Sequence, residues 1–232
     1  MMRIITWPER KEDFLHLAGA LRELVGGRRD VAARYYEFEK DGQLIRGWGP
    51  WKGRRVGPDY EAAEGERVGE FFDKTTGEMD WRVLQPLSVE NLCKHLRGKE
   101  RLGVYVLDAN AHVSCLAADF DDHAGELDPA GVWGQVRRFI ATCTTAGWIV
   151  HVERSKSGRG YHVWLFFDAP VPASHARAIG RWLFEEAQCV REGEAFDTFD
   201  RFFPSQSVLP PAGRGYGNLI GLPLCGLAGY RE

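Results

Sequence analysis

A chain of 232 residues, 44% hydrophobic and 27% charged, has ordinary globular composition and enough apolar material for one large domain or two small ones. Its net charge of −3 excludes a surface coated in positive charge, although phosphate binding needs only a local basic groove. The five cysteines form no CxxC pair, which argues against a zinc knuckle or a disulfide framework and for small buried thiols in a reducing cytoplasm. The N-terminus lacks a secretory apolar core, and no run approaches the roughly 18 apolar residues of a membrane span. The expectation is a soluble, cytoplasmic protein with no membrane partner.

In chain order, residues 8–26 read as an amphipathic helix with Phe14, Leu17, Leu21 and Leu24 on one face, stopped by Gly26 and Gly27. RYYEFEKDGQLIRGW reads as a hairpin turning at Asp41-Gly42. The polar stretch 53–80 reads as loop or irregular chain. LSVENLCKHLRG reads as a short helix capped by Ser88 and ended by Gly98. Residues 113–120 suit a buried strand. Asp128-Pro129 then opens a helix running to about 146, with Val132, Val136, Phe139, Ile140 and Cys143 as its stripe and Gly147 as its stop. WIVHVE and YHVWLFF read as strands joined by RSKSGRG. After DAPVPAS, a helix at about 174–189 carries Ile179, Trp182, Leu183 and Ala187, and NLIGLPL (218–224) reads as a last strand.

The second half therefore has the order β-α-β-β-α-β, the ferredoxin-like or RNA-recognition-type pattern. In that topology the third strand lies between the first and second, antiparallel to both. The end of the first strand, with Asp119 and Asp121, then lies beside the start of the third, with His162. The segment FDTFDRFFPSQ leads toward the same corner.

Asp119 and Asp121 share one face of their strand. Two carboxylates so placed repel, and a divalent cation reverses the sign, with oxygen ligands suiting Mg²⁺ or Mn²⁺. Asp122 points the opposite way or lies past the strand end, and His123 reads as a loop residue. DxD alone also fits a polar strand end. The neighbouring RSKSGRG loop adds the charges of Arg154, Lys156 and Arg159 and the hydroxyls of Ser155 and Ser157, on a glycine-bearing backbone that a polyphosphate can approach closely. His162 fits a donor to a phosphate oxygen or a satisfied core histidine. A two-ion site wants a third carboxylate; Asp197 and Asp200 are the candidates, with Asp200 preferred. RGWGPWKGRR (46–55) interleaves basic and aromatic residues as single-strand grooves do, giving Lys52, Arg54 and Arg55 as nucleic-acid candidates, though core tryptophans on a hairpin flank fit equally.

HLRGKERLGVYVL, LAADFDDH, ERSKSGRGYHVWLFF, FDRFFPSQSVLP and GYGNLIGLPL together resemble the archaeo-eukaryotic primase superfamily. The nearer likeness is to the primase-polymerase domain of TOTE conflict systems and its CRISPR-associated relatives, in register from about residue 84 to 224. The resemblance implies an α+β primase-type catalytic core across 1–232. An N-terminal α/β unit would cover about 1–100 and an RNA-recognition-like, ferredoxin-like βαββαβ unit about 101–232. It implies that Asp119, Asp121 and Asp200 hold two Mg²⁺ or Mn²⁺ ions, and that Ser157, Arg159 and His162 bind the nucleotide triphosphate, with Ser155 and Lys156 of the same loop as further nucleotide-binding candidates. Asn218 would lie near sugar or base. Implied partners are a single-stranded DNA or RNA template, a primer, NTP or dNTP, and helicase, nuclease or CRISPR adaptation proteins. Many relatives carry a small hydroxyl residue two positions before the histidine, where this chain has Gly160. The family's zinc module has no ligand set here, and the expectation is a catalytic core cut from a longer protein.

A rival reading is a non-catalytic, single-stranded nucleic-acid-binding module on the same sheet, stacking bases on aromatics such as Trp164. A replication-initiator nuclease would want two histidines, and HVE at 151–153 has one. A nucleotidyl cyclase would need no template.

Overall fold

The computed structural model describes residues 10–74, 76–121, 129–155, 160–189, 202–211 and 215–226. They fall into two units, one from Met1–Leu24, Asp30–Gly103 and Leu224–Glu232, the other from Val25–Arg29 and Val104–Pro223. No described helix is long and apolar enough to cross a membrane.

In the first unit, α1 (Lys11–Val25) buries Phe14, Ala18 and Leu21 at helical spacing. Leu24, expected on that face, is 45% exposed; Val25 is buried instead, because the stripe advances by four rather than three at its last step. The strands β1 (Ala33–Lys40) and β2 (Gln43–Pro50) pair residue for residue from Ala33↔Pro50 to Lys40↔Gln43. Their two-residue turn has φ of 53° at Asp41 and 74° at Gly42, as a type I′ turn requires. The stretch expected to be irregular instead forms a three-stranded antiparallel sheet of β3 (Lys52–Val56), β4 (Val68–Phe72) and β5 (Met79–Leu84), with β5 central. These strands are short and mostly half-exposed, and they sit in a polar, glycine-containing stretch; of the three only MDWRVL alternates apolar and charged residues. In α2 (Val89–Leu96) Ser88 is the N-cap, its hydroxyl accepting from the Asn91 N–H at 3.2 Å. Gly98 follows at φ 69°. Fully buried His95 accepts at Nδ1 from the Leu102 N–H at 3.1 Å, which ties α2 to the start of β6 (Leu102–Tyr105).

The second unit contains a four-stranded antiparallel sheet ordered β10 (Phe202–Phe203), β7 (His112–Phe120), β9 (Tyr161–Pro172), β8 (His151–Arg154). Since β7 and β8 both run antiparallel to β9, they are parallel to each other, as the βαββαβ order requires. The fourth strand differs from expectation: Phe202 and Phe203 pair with Ala118 and Ala117, so β10 flanks β7. NLIGLPL yields only β11 (Leu219–Gly221), outside this sheet, and the Val106 N–H donates to the Asn218 carbonyl just before it. The third strand also continues through DAPVP to Pro172. Pairing with β8 stops at His151↔Trp164, and beyond it the prolines leave no ladder bond broken on that side.

Helices α3 (Pro129–Thr145) and α4 (Ala173–Glu186) cover one sheet face. Leu116, Ala118, Phe120, Val163 and Leu165 meet Val132, Val136, Phe139, Cys143, Leu183 and Phe184 there. The expected α3 stripe is this one. Trp182 of α4, expected inside, is 47% exposed, and Phe184 takes that place, its ring 4.5 Å from Phe139 and 5.7 Å from Phe202. Asp128, expected to cap α3, lies outside the described residues. None of the five cysteines is disulfide-bonded to another described residue, and four of them are buried. Burial pushes the Cys115 thiol up to about 12, as an inert core residue should be.

Gly180 shows why Phe202 can sit so close to α4. A Cβ there would overlap the Phe202 ring and lie 2.8 Å from its Cε1. Alanine in mid-helix is ordinarily worth about 1 kcal/mol over glycine, whereas overpacking a buried ring costs about 1–3 kcal/mol. Gly180→Ala is therefore expected to lower the melting temperature by several degrees. A raised melting temperature would show that the ring can move aside.

Candidate active site

The site forms on the sheet face turned away from α3 and α4. Cross-strand register pairs Asp119 with His162 and His162 with Glu153, so β7, β9 and β8 each place one ionisable side chain in a row. His162 Nε2 lies 3.6 Å from Asp119 Oδ1, too long for a hydrogen bond but close enough for strong attraction. On its other side His162 Nδ1 lies 3.4 Å from Glu153 Oε2. All three side chains are about four-fifths buried.

Burial is the largest single influence on His162 and opposes its charge. The Glu153 hydrogen bond and the charges of Asp119, Glu153 and Asp121 together outweigh it, so its pKa is raised above the ordinary 6.5. The sign follows: the stability this imidazolium contributes is fully present below pH 6.5 and is lost as pH rises through the raised folded value. In metal-free Glu153→Gln protein, His162 is expected to titrate at lower pH, because its strongest favourable partner goes while burial stays. The check is a histidine-resolved NMR titration; an unchanged midpoint would assign the shift to the aspartates alone.

Asp121 follows β7 directly and reaches the neck of the basic loop. A Cβ on Gly160 would overlap Asp121 Oδ1 and come within 2.7 Å of the Phe120 carbonyl oxygen, so only glycine allows this approach. The neck is closed by two hydrogen bonds. The Ser155 N–H donates to the Gly160 carbonyl at 2.8 Å, and the Gly160 N–H donates to Ser155 Oγ at 3.0 Å. Ser155 is thereby buried as a loop fastener.

Asp119, Asp121, His162 and Ser155 thus come together. Asp200, Asp197, Asp122, His123, Lys156, Ser157 and Arg159 lie outside the described residues. Asn218 sits in the segment beside Val106, and its Oδ1 is buried with no hydrogen-bond partner among the described residues. Lys52, Arg54 and Arg55 lie on β3 in the other unit. Arg54 is held by Glu66 at 2.9 Å and by the Tyr60 hydroxyl, and Arg55 by Asp80 at 3.3 Å. Trp51 is 9% exposed, and Trp164, the stacking candidate of the rival reading, is 1% exposed. Glu153 was missed by sequence reasoning. Its signal is the hairpin count: Arg154 opposite Tyr161 places Glu153 opposite His162.

The α+β architecture is that of an archaeo-eukaryotic primase-type core. The family model described as "TOTE conflict system, Archaeo-Eukaryotic Primase domain" matches residues 19–230, and the chain belongs to that family. Among solved structures it is similar to the polymerase domain of Mycobacterium tuberculosis ligase D in complex with DNA, at 12% identity and a TM-score of 0.42. That similarity covers 77% of this chain and 63% of the other. Comparison with curated proteins gives no match.

Proposed function

We propose that the chain is a template-directed nucleotidyltransferase, a primase-polymerase acting on a single-stranded template. The observation that carries this is the meeting of Asp119, Asp121 and His162 at the mouth of the basic loop, in a chain of primase family. Paired carboxylates form a hard oxygen donor set that fits Mg²⁺ or Mn²⁺ better than softer ions. Asp119 and Asp121 would hold the ions together with Asp200, which stands two positions before Phe202, the partner of Ala118 beside Asp119. When bound, two such ions neutralise phosphate charge and polarise the reacting oxygens.

The chain's own residues then bind and orient. His162 offers Nε2–H to a phosphate oxygen, its ring held from behind by Glu153 at Nδ1. Ser155 and Gly160 fix the two ends of the loop whose Lys156, Ser157 and Arg159 would cradle the triphosphate. A 3′-hydroxyl oxygen bonds to the α-phosphorus, the α–β anhydride bond breaks, pyrophosphate leaves and the hydroxyl proton passes to solvent. Positioning and charge neutralisation supply most of the acceleration.

The test is incubation with single-stranded template, labelled nucleotides and Mn²⁺ or Mg²⁺, with and without primer. Products that follow template sequence are expected. Template binding without incorporation under any of these conditions would favour the non-catalytic module, a reading that the burial of Trp164 weakens.

A further inference from the structure

We propose that the open face of the β1–β2 hairpin binds single-stranded nucleic acid by stacking bases on Tyr36 and Phe38. Arg34, Tyr36 and Phe38 share one face of β1, and their cross-strand partners are Gly49, Gly47 and Ile45. The two glycines leave Tyr36 lying over bare backbone. A Cβ at Gly47 would come within 2.8 Å of the Tyr36 hydroxyl oxygen, and one at Gly49 within 3.5 Å of its Cε1. Tyr36 is 42% exposed and Phe38 49% exposed, with ring centroids 5.9 Å apart. With Trp51 and Phe71 they line a groove of about 600 Å³. Two large rings kept half in water on adjacent positions of one strand face are poorly explained by packing and well explained by a flat ligand.

Charge selects the occupant. Lys52 Nζ sits 3.8 Å over the Phe71 ring, and the Arg34 guanidinium lies 5.6 Å from the Trp51 centroid while paired with Glu100 at 2.7 Å. Among the described residues no acidic side chain lines the groove. Aromatic faces flanked by cations match a strand of bases on a phosphate backbone. A proline-rich peptide also uses aromatic grooves but gains nothing from the cations. Carboxylates hold Arg54 and Arg55, as Glu100 holds Arg34, so the rings and Lys52 carry the contact. It needs neither bound metal nor catalysis.

The experiment is fluorescence anisotropy of labelled oligo(dT) and oligo(rU) with the full chain in EDTA. Tyr36→Ala with Phe38→Ala is expected to weaken both roughly tenfold or more, since stacking reads the ring rather than the sugar. Lys52→Ala should reduce the salt slope by about 0.7. Phe72→Ala, which removes a 60%-exposed ring from the other face of β4, should change nothing. If the double alanine variant does not fold, Tyr36→Leu with Phe38→Leu keeps apolar bulk without the rings and should show the same loss. Unchanged affinity in the folded ring variants overturns the proposal, as does tighter binding of an oligoproline that the same variants abolish. Because metal is absent, failure here leaves the incorporation assay standing, and failed incorporation leaves this binding intact.

Discussion

Asp119→Ala is expected to lower nucleotide incorporation by about three orders of magnitude in a protein that still folds. Losing ~4 kcal/mol of transition-state charge stabilisation corresponds to about a thousandfold in rate. The fold should persist because Ala118 and Phe120 face the helix-packed core, whereas Asp119 points to the opposite side. Its removal opens no cavity among Leu116, Phe139 and Phe184, and His162 keeps its contact with Glu153. A second readout separates metal loss from misfolding. Ions bound only by the folded state raise its stability by about 2.7 kcal/mol at a hundred times their dissociation constant. Mn²⁺ should therefore raise the melting temperature of the wild type and much less that of Asp119→Ala or Asp121→Ala. Full activity in Asp119→Ala would end the assignment, and lost activity with an undiminished Mn²⁺ effect would move the ions elsewhere.

The parts of this fold legible in sequence are those where local chemistry and tertiary packing agree. Ser88 caps, Asp41-Gly42 turns, and the Val132–Cys143 stripe buries as its spacing requires. The parts that were not legible are those where long-range pairing decides. KGRRV and VGEFF show no clear alternation, and MDWRVL, which does alternate, is embedded in a polar, glycine-containing stretch; the three pair because β5 lies between two partners. Phe202-Phe203 is too short to signal a strand, yet it flanks β7, while the more strand-like NLIGLPL lies outside that sheet. At the site, strand order was enough to place His162 beside Asp119. Glu153 escaped because its strand is exposed at His151 and Val152, so alternation gave no face to assign it to.

Gly160→Ser separates the family pattern from this chain's own geometry. Relatives with a small hydroxyl residue two positions before the histidine imply that serine here is tolerated or beneficial. The contacts in this chain imply the reverse. Any Cβ at position 160 overlaps Asp121 Oδ1 and crowds the Phe120 carbonyl, and the second of these is backbone at the end of a paired strand that cannot simply rotate away. Asp121 would have to turn away from its place beside the Asp119–His162 pair, or the loop neck held by Ser155 would have to open. A displacement of about 1 Å at a reacting centre can cost about a hundredfold. Gly160→Ser and Gly160→Ala are therefore expected to reduce incorporation by 10- to 100-fold, roughly, in a protein that still folds with a melting temperature lowered by a few degrees at most. The two should fall together, since the obstacle is the shared Cβ. Activity kept by serine but lost by alanine would mean that the hydroxyl replaces a contact and that Asp121 has room to move, and the tight approach of Asp121 to the loop would then not be what positions it.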